Sequence, residues 1–251
     1  MAALHEMVSF TDRYLRLAEV EDYDHALNGL QIENSGEVTK IGAAVDASTH
    51  TMQMASESGV DFLIVHHGLF WPGLRPVTGA LYRGLKLALE KNLALYSAHL
   101  PLDLHPKVGN NALLAAALNL GETEPFLELK GQPAGLLAKT TLRRDELLSR
   151  LEQSLGGPVR CIGTGPMETK RIGIVTGGAG GEIYAAAGDG IDTYVTGEAP
   201  HWAAVAAEEL GINLFLGGHY ATETFGVKAL AAELAEKFSL SWEFFDHPTG
   251  L

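Results

Sequence analysis

The feature that most constrains this chain is a repeated alternation. Short apolar runs of four or five residues are separated by stretches with helical spacing. Residues 41–45, 62–65, 93–97, 172–175, 193–196, 212–216 and 241–245 predict strands. Residues 49–58 (opening on Ser48), 80–91, 111–118, 182–187, 203–210 and 224–237 predict helices. Strands joined through helices run parallel, and unbroken apolar runs suit strands buried on both faces. The expected fold is α/β: two related α/β half-domains with largely parallel sheets, packed around a shared metal cleft, with a short middle insertion.

The halves show their relationship in register. At an offset of 131 residues, Ile41 falls on Ile172 and TKIGAAVD lies over KRIGIVTG. SGVDFLIV lies over DGIDTYVT, matching Gly59 with Gly190 and Asp61 with Asp192, and Trp71 falls on Trp202. Further on the offset drifts, and SAHLPLD resembles GGHYATE, so that His99 and Asp103 answer to His219 and Glu223. Such self-similarity is the mark of a duplicated unit. The expected division is a first half over 1–122, a bridging insertion over 123–165 and a second half over 166–251. The insertion reads as strand (GLLAKTTL), amphipathic helix (RRDELLSRLEQSL) and strand (PVRCIG) between turn-rich flanks.

Composition excludes several classes. The formal charge is −13, from 31 acidic and 18 basic residues. A chain this acidic lacks the positive surface that duplex DNA or an anionic membrane requires. A nucleotide substrate stays admissible, because bound metal ions supply local positive charge. Cys161 is the single cysteine, so no intrachain disulfide forms and no C-x-x-C pair holds zinc. In VRCIG it reads as a small buried residue. The N-terminal stretch has no signal-peptide pattern. No run approaches the roughly 18 apolar residues of a membrane span. A cytoplasmic protein is expected.

Open α/β sheets bind ligands at the C-terminal ends of their strands. The polar residues expected there are Asp46, His66-His67, His99 with Asp103, the glycine-rich turn 177–181, Glu198 with His201, and His219 with Glu223. Adjacent strand residues point to opposite faces, but Gly68 lets the chain turn so that both imidazoles face one cleft. His219 and Glu223 are four apart and share a helix face. Pro101 argues against a regular helix between His99 and Asp103. Each motif alone has a plain structural alternative: half-exposed strand-end histidines, a surface His–Glu hydrogen bond, a capping carboxylate. Together they form a nitrogen and oxygen donor set without sulfur, as hard-to-borderline divalent ions prefer. Two ions about 3.5–4 Å apart, as in many hydrolases, would use both adjacent histidines. The glycine turn, with Gly177, Gly178 and Gly180, is a candidate phosphate-binding start of a helix, against a tight turn that simply needs glycine. His99, Glu198 and His201 are candidate acid–base residues. Phe70, Trp71, Tyr220 and Phe225 are candidates to stack on a base or to pack in the core.

The motifs LNGLQIEN (27–34), KIGAAVDAS, DFLIVHHGLFW, LYSAHLPLD, VTGE and GGHYATE span nearly the whole chain. Through them the sequence resembles the NIF-three-like family, the GTP cyclohydrolase 1 type 2 homologues. The resemblance implies a toroidal homohexamer with two divalent ions per subunit, of the kinds Zn, Mn, Fe, Co or Mg. It implies His66, His67, Asp103 and His219 as metal ligands, with Glu223 bridging. Longer family members carry a large inserted domain where this chain has only 123–165. The implied function is metal-dependent hydrolysis of a small nucleotide-like or phosphorylated substrate. The alternatives are a metal-dependent regulatory or scaffold hexamer without turnover, and purely structural metals.

Overall fold

A computed structural model describes all 251 residues. The chain forms two units, Met1–Leu102 with Gly226–His247 and Asp103–Phe225 with Pro248–Leu251. No helix is long and apolar enough to cross a membrane.

The first unit begins with β1 (Ala2–Ala3), α1 (Leu4–Tyr14), β2 (Gly29–Ile32) and β3 (Glu37–Val38). It continues through β4 (Lys40–Asp46), α2 (Thr49–Glu57), β5 (Phe62–His67), α3 (Gly79–Glu90) and β6 (Ala94–Ser97). Ser48 caps α2 by accepting from Thr51 N, while its own N–H donates to Thr51 Oγ1. This reciprocal cap fixes where the helix starts. Phe62, Leu63, Ile64 and Val65 are all fully buried, which is why that run carries no polar alternation. Met52, Ala55 and Ala88 from the two helices pack with Ala44, Leu63, Val65 and Leu95 of the sheet.

One expectation needs correction here. β5 does not stop before the histidines. The ladder with β4 continues to the pair Asp46↔His67, so His66 and His67 are the strand's last two residues.

The short α4 (Leu100–Asp103) leads into the second unit. Pro101 sits in its single turn, where the missing N–H costs nothing. Then come α5 (Asn110–Ala117), β7 (Thr123–Leu129), β8 (Gln132–Arg143), α6 (Arg144–Leu155), β9 (Arg160–Gly163) and β10 (Glu168–Val175). A 3-10 turn, Ala179–Glu182, precedes α7 (Ile183–Gly188), β11 (Thr193–Thr196), α8 (His201–Leu210), β12 (Asn213–Leu216) and α9 (His219–Thr222). Last are α10 (Thr224–Phe238) and β13 (Ser241–Phe244).

Besides the small antiparallel pair β1–β3, the chain has two larger sheets, both mixed. The first has the order β13-β4-β5-β6-β2, parallel except for β2. The second has the order β7-β8-β10-β11-β12-β9, parallel only through β10, β11 and β12.

Two boundaries differ from the sequence reading. The segment 123–165 is no bridge. Its strands β7, β8 and β9 are members of the second sheet. Leu147 and Leu151 of α6 are fully buried and pack in one cluster with Ile172, Val195 and Phe215. The chain's end does not stay with 166–225 either: β13 pairs with β4, Trp242 opposite Ile41.

The internal repeat is visible in hydrogen bonds. Ile41 pairs with Phe62, and Ile172 with Thr193, each shifted by 131 residues. Asp61 accepts from the N–H groups of Thr39 and Lys40; Asp192 accepts from those of Lys170 and Arg171. Gly42 and Gly173 also correspond. A Cβ on Gly42 would lie 2.9 Å from Val60, and one on Gly173 would lie 2.6 Å from Phe126 and 3.2 Å from Ile191. The two β-α-β-α-β runs are built alike down to single contacts.

Candidate metal centre

The first unit gathers three imidazoles at the end of β5 and just beyond β6. His66 is fully buried, His99 is 8% exposed and His67 is half-buried. Their ring centroids are 4.8, 4.9 and 5.6 Å apart. One ligand atom from each lies within 4.8 Å of those of the other two.

Each ring is held through Nδ1. His66 Nδ1 is 2.8 Å from the Ala98 carbonyl, His67 Nδ1 is 2.9 Å from Asp46 Oδ1, and His99 Nδ1 is 2.9 Å from Asp22 Oδ1. A carbonyl or carboxylate oxygen only accepts, so Nδ1 carries the proton. The lone pair of the neutral ring is then on Nε2. Asp22 is itself fixed: it accepts from Tyr23 N, Asn28 Nδ2 and Leu100 N as well as from His99. Burial works against its charge, but the hydrogen bonds from His99 and Asn28 outweigh it and keep its pKa below the usual carboxylate value. Asn28 also accepts from His99 N at 2.7 Å, locking the ring from its backbone.

The second unit has a group of its own, of carboxylates and one imidazole. Asp103, 8% exposed, accepts from Asn110 Nδ2 at 2.7 Å. Asn111 fixes the turn behind it by donating to the carbonyls of Asp103 and Ala134. His219 opens α9 after Gly218, and its Nδ1 is 2.9 Å from Glu198 Oε1. Its Nε2 is 3.1 Å from Glu223 Oε1, across one helical turn. Glu223 is 2% exposed, and a buried carboxylate needs a cation. With the ring alone beside it, burial disfavours the imidazolium. The hydrogen bonds to Glu223 and Glu198 outweigh this and push the His219 pKa up to about 9.

The remaining sequence candidates fall as follows. His99 joins the first cluster as a third imidazole. Glu198 is the partner that orients His219. His201 is exposed as the first residue of α8 and belongs to neither group of metal-ligating side chains. In the 177–181 turn, Gly177 and Gly180 are placed by hydrogen bonds within the protein. Gly177 N donates to Thr222 Oγ1 and Gly180 N to the Glu198 carbonyl, so these N–H groups are engaged within the protein. Gly177 has φ +71, and a Cβ there would lie 2.2 Å from Glu223 Oε1. Its missing side chain is what admits the glutamate. Asp22 and Asn28, which hold His99, are residues that motif spacing passes over. Asn28 lies within LNGLQIEN, a signal that marked the segment without revealing its role.

In chemical terms the donors are imidazole nitrogens and carboxylate oxygens, each with a supporting hydrogen bond. Metal-ligating histidines nearly always donate their other N–H to an oxygen acceptor. All four rings obey this pattern.

Residues 2–249 match the model of Duf34/NIF3 (NGG1p interacting factor 3). The chain belongs to the Duf34/NIF3 family. It is 41% identical over 250 residues to a Deinococcus radiodurans protein named GTP cyclohydrolase 1 type 2 homolog, covering 98% of this chain and 94% of that one. Among solved structures it is similar to TTHA1606 from Thermus thermophilus, with a TM-score of 0.91, 40% identity and full coverage of both chains. It is also similar to HcgD from Methanocaldococcus jannaschii, with a TM-score of 0.88, 27% identity and 98% of each chain covered. The Duf34/NIF3 membership agrees with the resemblance carried by VHHG, SAHLPLD and GHYATE.

Proposed function

We propose that this chain is a dinuclear metal protein that hydrolyses a small nucleotide-like or phosphorylated substrate. His66, His67, Asp103, His219 and Glu223 would hold two divalent ions, with Glu223 bridging. The observation that carries it is the common orientation of the four imidazoles: each turns Nδ1 to an oxygen acceptor, so Nε2 is the nitrogen a metal would take, and in His219 that nitrogen meets Glu223 Oε1 at 3.1 Å. When bound, divalent ions activate water and polarise a carbonyl or phosphoryl oxygen. The chain's own part is to fix the donors. Asp46 and Glu198 orient His67 and His219, and the Asp22–Asn28 pair orients His99. The name shared by the curated relatives makes GTP the first substrate to try.

The test is turnover. Metal-loaded protein is incubated with GTP, other nucleotides and simple phosphoesters. We expect product that requires added divalent ion and is lost in Glu223→Gln. Stoichiometric metal uptake with no turnover of any of these would overturn the hydrolase reading and leave a regulatory or scaffold role. The proposal includes a toroidal homohexamer, and light scattering should return about six times the chain mass. A monomeric mass would refute that part.

A further inference from the structure

The first unit carries aromatic surface that its core does not use. Trp71 is 39% exposed and Tyr23 is 50% exposed. Both stand at the imidazole cluster. The Trp71 ring is 4.6 Å from that of His99 and 5.9 Å from that of His67, and Tyr23 is 5.9 Å from His99. The two aromatic rings are 6.0 Å apart and inclined at 66°.

These rings are held in place. Tyr23 N donates at 2.7 Å to Asp22, the carboxylate that also orients His99. The turn bearing Trp71 is fastened on both sides. Leu69 N donates to Gln31 Oε1 at 2.9 Å, and Gly73 N donates to the Phe70 carbonyl at 2.8 Å. His25 packs against Gly73 so closely that a Cβ there would lie 3.2 Å from its ring. Keeping two large aromatic side chains half in water forgoes the gain of burying them. Small-molecule sites are lined in this way, with aromatic walls beside a few fixed polar groups.

We propose that Tyr23 and Trp71 form a stacking subsite for a planar heteroaromatic ring of nucleobase size, holding it against the His67–His99 side of the cluster. A ring lying on one aromatic face would meet the edge of the other, and both are arrangements that aromatic pairs favour. The Asp22 carboxylate lies at Tyr23 N and His99 Nδ1, so this end of the site disfavours phosphate and takes the uncharged part of the ligand. That the bound ring is part of a substrate rests on the metal-centre reading above; the binding itself does not.

The probes are guanosine, adenosine, GTP and the ring-free tripolyphosphate. Trp71 reports alone in a Trp202→Phe, Trp242→Phe background. Guanosine or adenosine should quench its fluorescence even in metal-free protein. Trp71→Ala should weaken GTP binding by roughly tenfold or more, as removal of a stacking platform does, with metal content and tripolyphosphate binding unchanged. Trp71→Phe should retain most of the affinity. Absence of quenching by both nucleosides, or unchanged GTP affinity in Trp71→Ala, overturns the subsite. The metal-centre reading fails separately, on metal content.

Discussion

The Ala98 carbonyl, Asp46, Asp22 and Glu198 each take one Nδ1 proton, and by doing so decide what four imidazoles offer on their other side. Losing such a partner frees the tautomer and the ring. Asp46→Ala and Glu198→Ala should each weaken divalent-metal affinity by about 10–100-fold, read by competition with a chromophoric chelator. Unchanged affinity in both would mean that the carboxylates orient nothing. His219 gives a signed expectation for metal-free protein. Its pKa is raised from 6.5 to about 9, so the imidazolium's stabilisation is complete below pH 6.5 and lost as pH rises through about 9. NMR titration of the ring should find this midpoint, and Glu198→Gln should lower it. Gly177→Ala should cost about 1–2 kcal/mol for the left-handed backbone alone, beyond the collision with Glu223, as read by denaturant unfolding. At this scale the sequence was half legible. Adjacent histidines and an i, i+4 His–Glu pair announce themselves by spacing. Asp22 is 77 residues from His99, and no local pattern joins them.

Among the elements, the duplicated β-α-β-α-β run was legible because burial on both faces writes unbroken apolar strands. The pairing of Asp61 with Asp192 was visible as a letter match, and its cause is the shared task of receiving two successive backbone N–H groups, those of Thr39 and Lys40 or of Lys170 and Arg171. Asp61→Ala and Asp192→Ala should therefore destabilise to a similar degree, about 1–3 kcal/mol each by thermal or chemical unfolding. A large effect in one and none in the other would break the equivalence. Other elements were missed for physical reasons. The buried residues of α1 are Leu4, Met7 and Thr11, and a threonine interrupts the apolar stripe. β2 is four residues long with two of them half-buried. β7 opens on three exposed residues, Thr123, Glu124 and Pro125, which read as a turn. An antiparallel edge strand such as β7 needs no helical crossover, so the alternation that revealed the parallel strands was silent about it.

For the whole molecule, sequence order concealed the division of the chain. The first unit is discontinuous: its sheet is completed by β13, some 200 residues after β4 in the chain. A linear reading assigns such a segment to its neighbours in sequence, and only strand pairing corrects it. Net charge fits the metal reading, since −13 is eased when cations bind at carboxylates. The central claim is that His66, His67, Asp103, His219 and Glu223 hold two divalent ions. The most direct test is the divalent-metal content per chain, by plasma mass spectrometry, of wild-type protein and of His66→Ala and Glu223→Ala, one variant from each unit. About two ions per wild-type chain, with loss in both variants, is the result expected of a dinuclear centre held by these residues. Wild-type protein that neither retains nor takes up divalent ions would contradict it, and so would full retention in either variant.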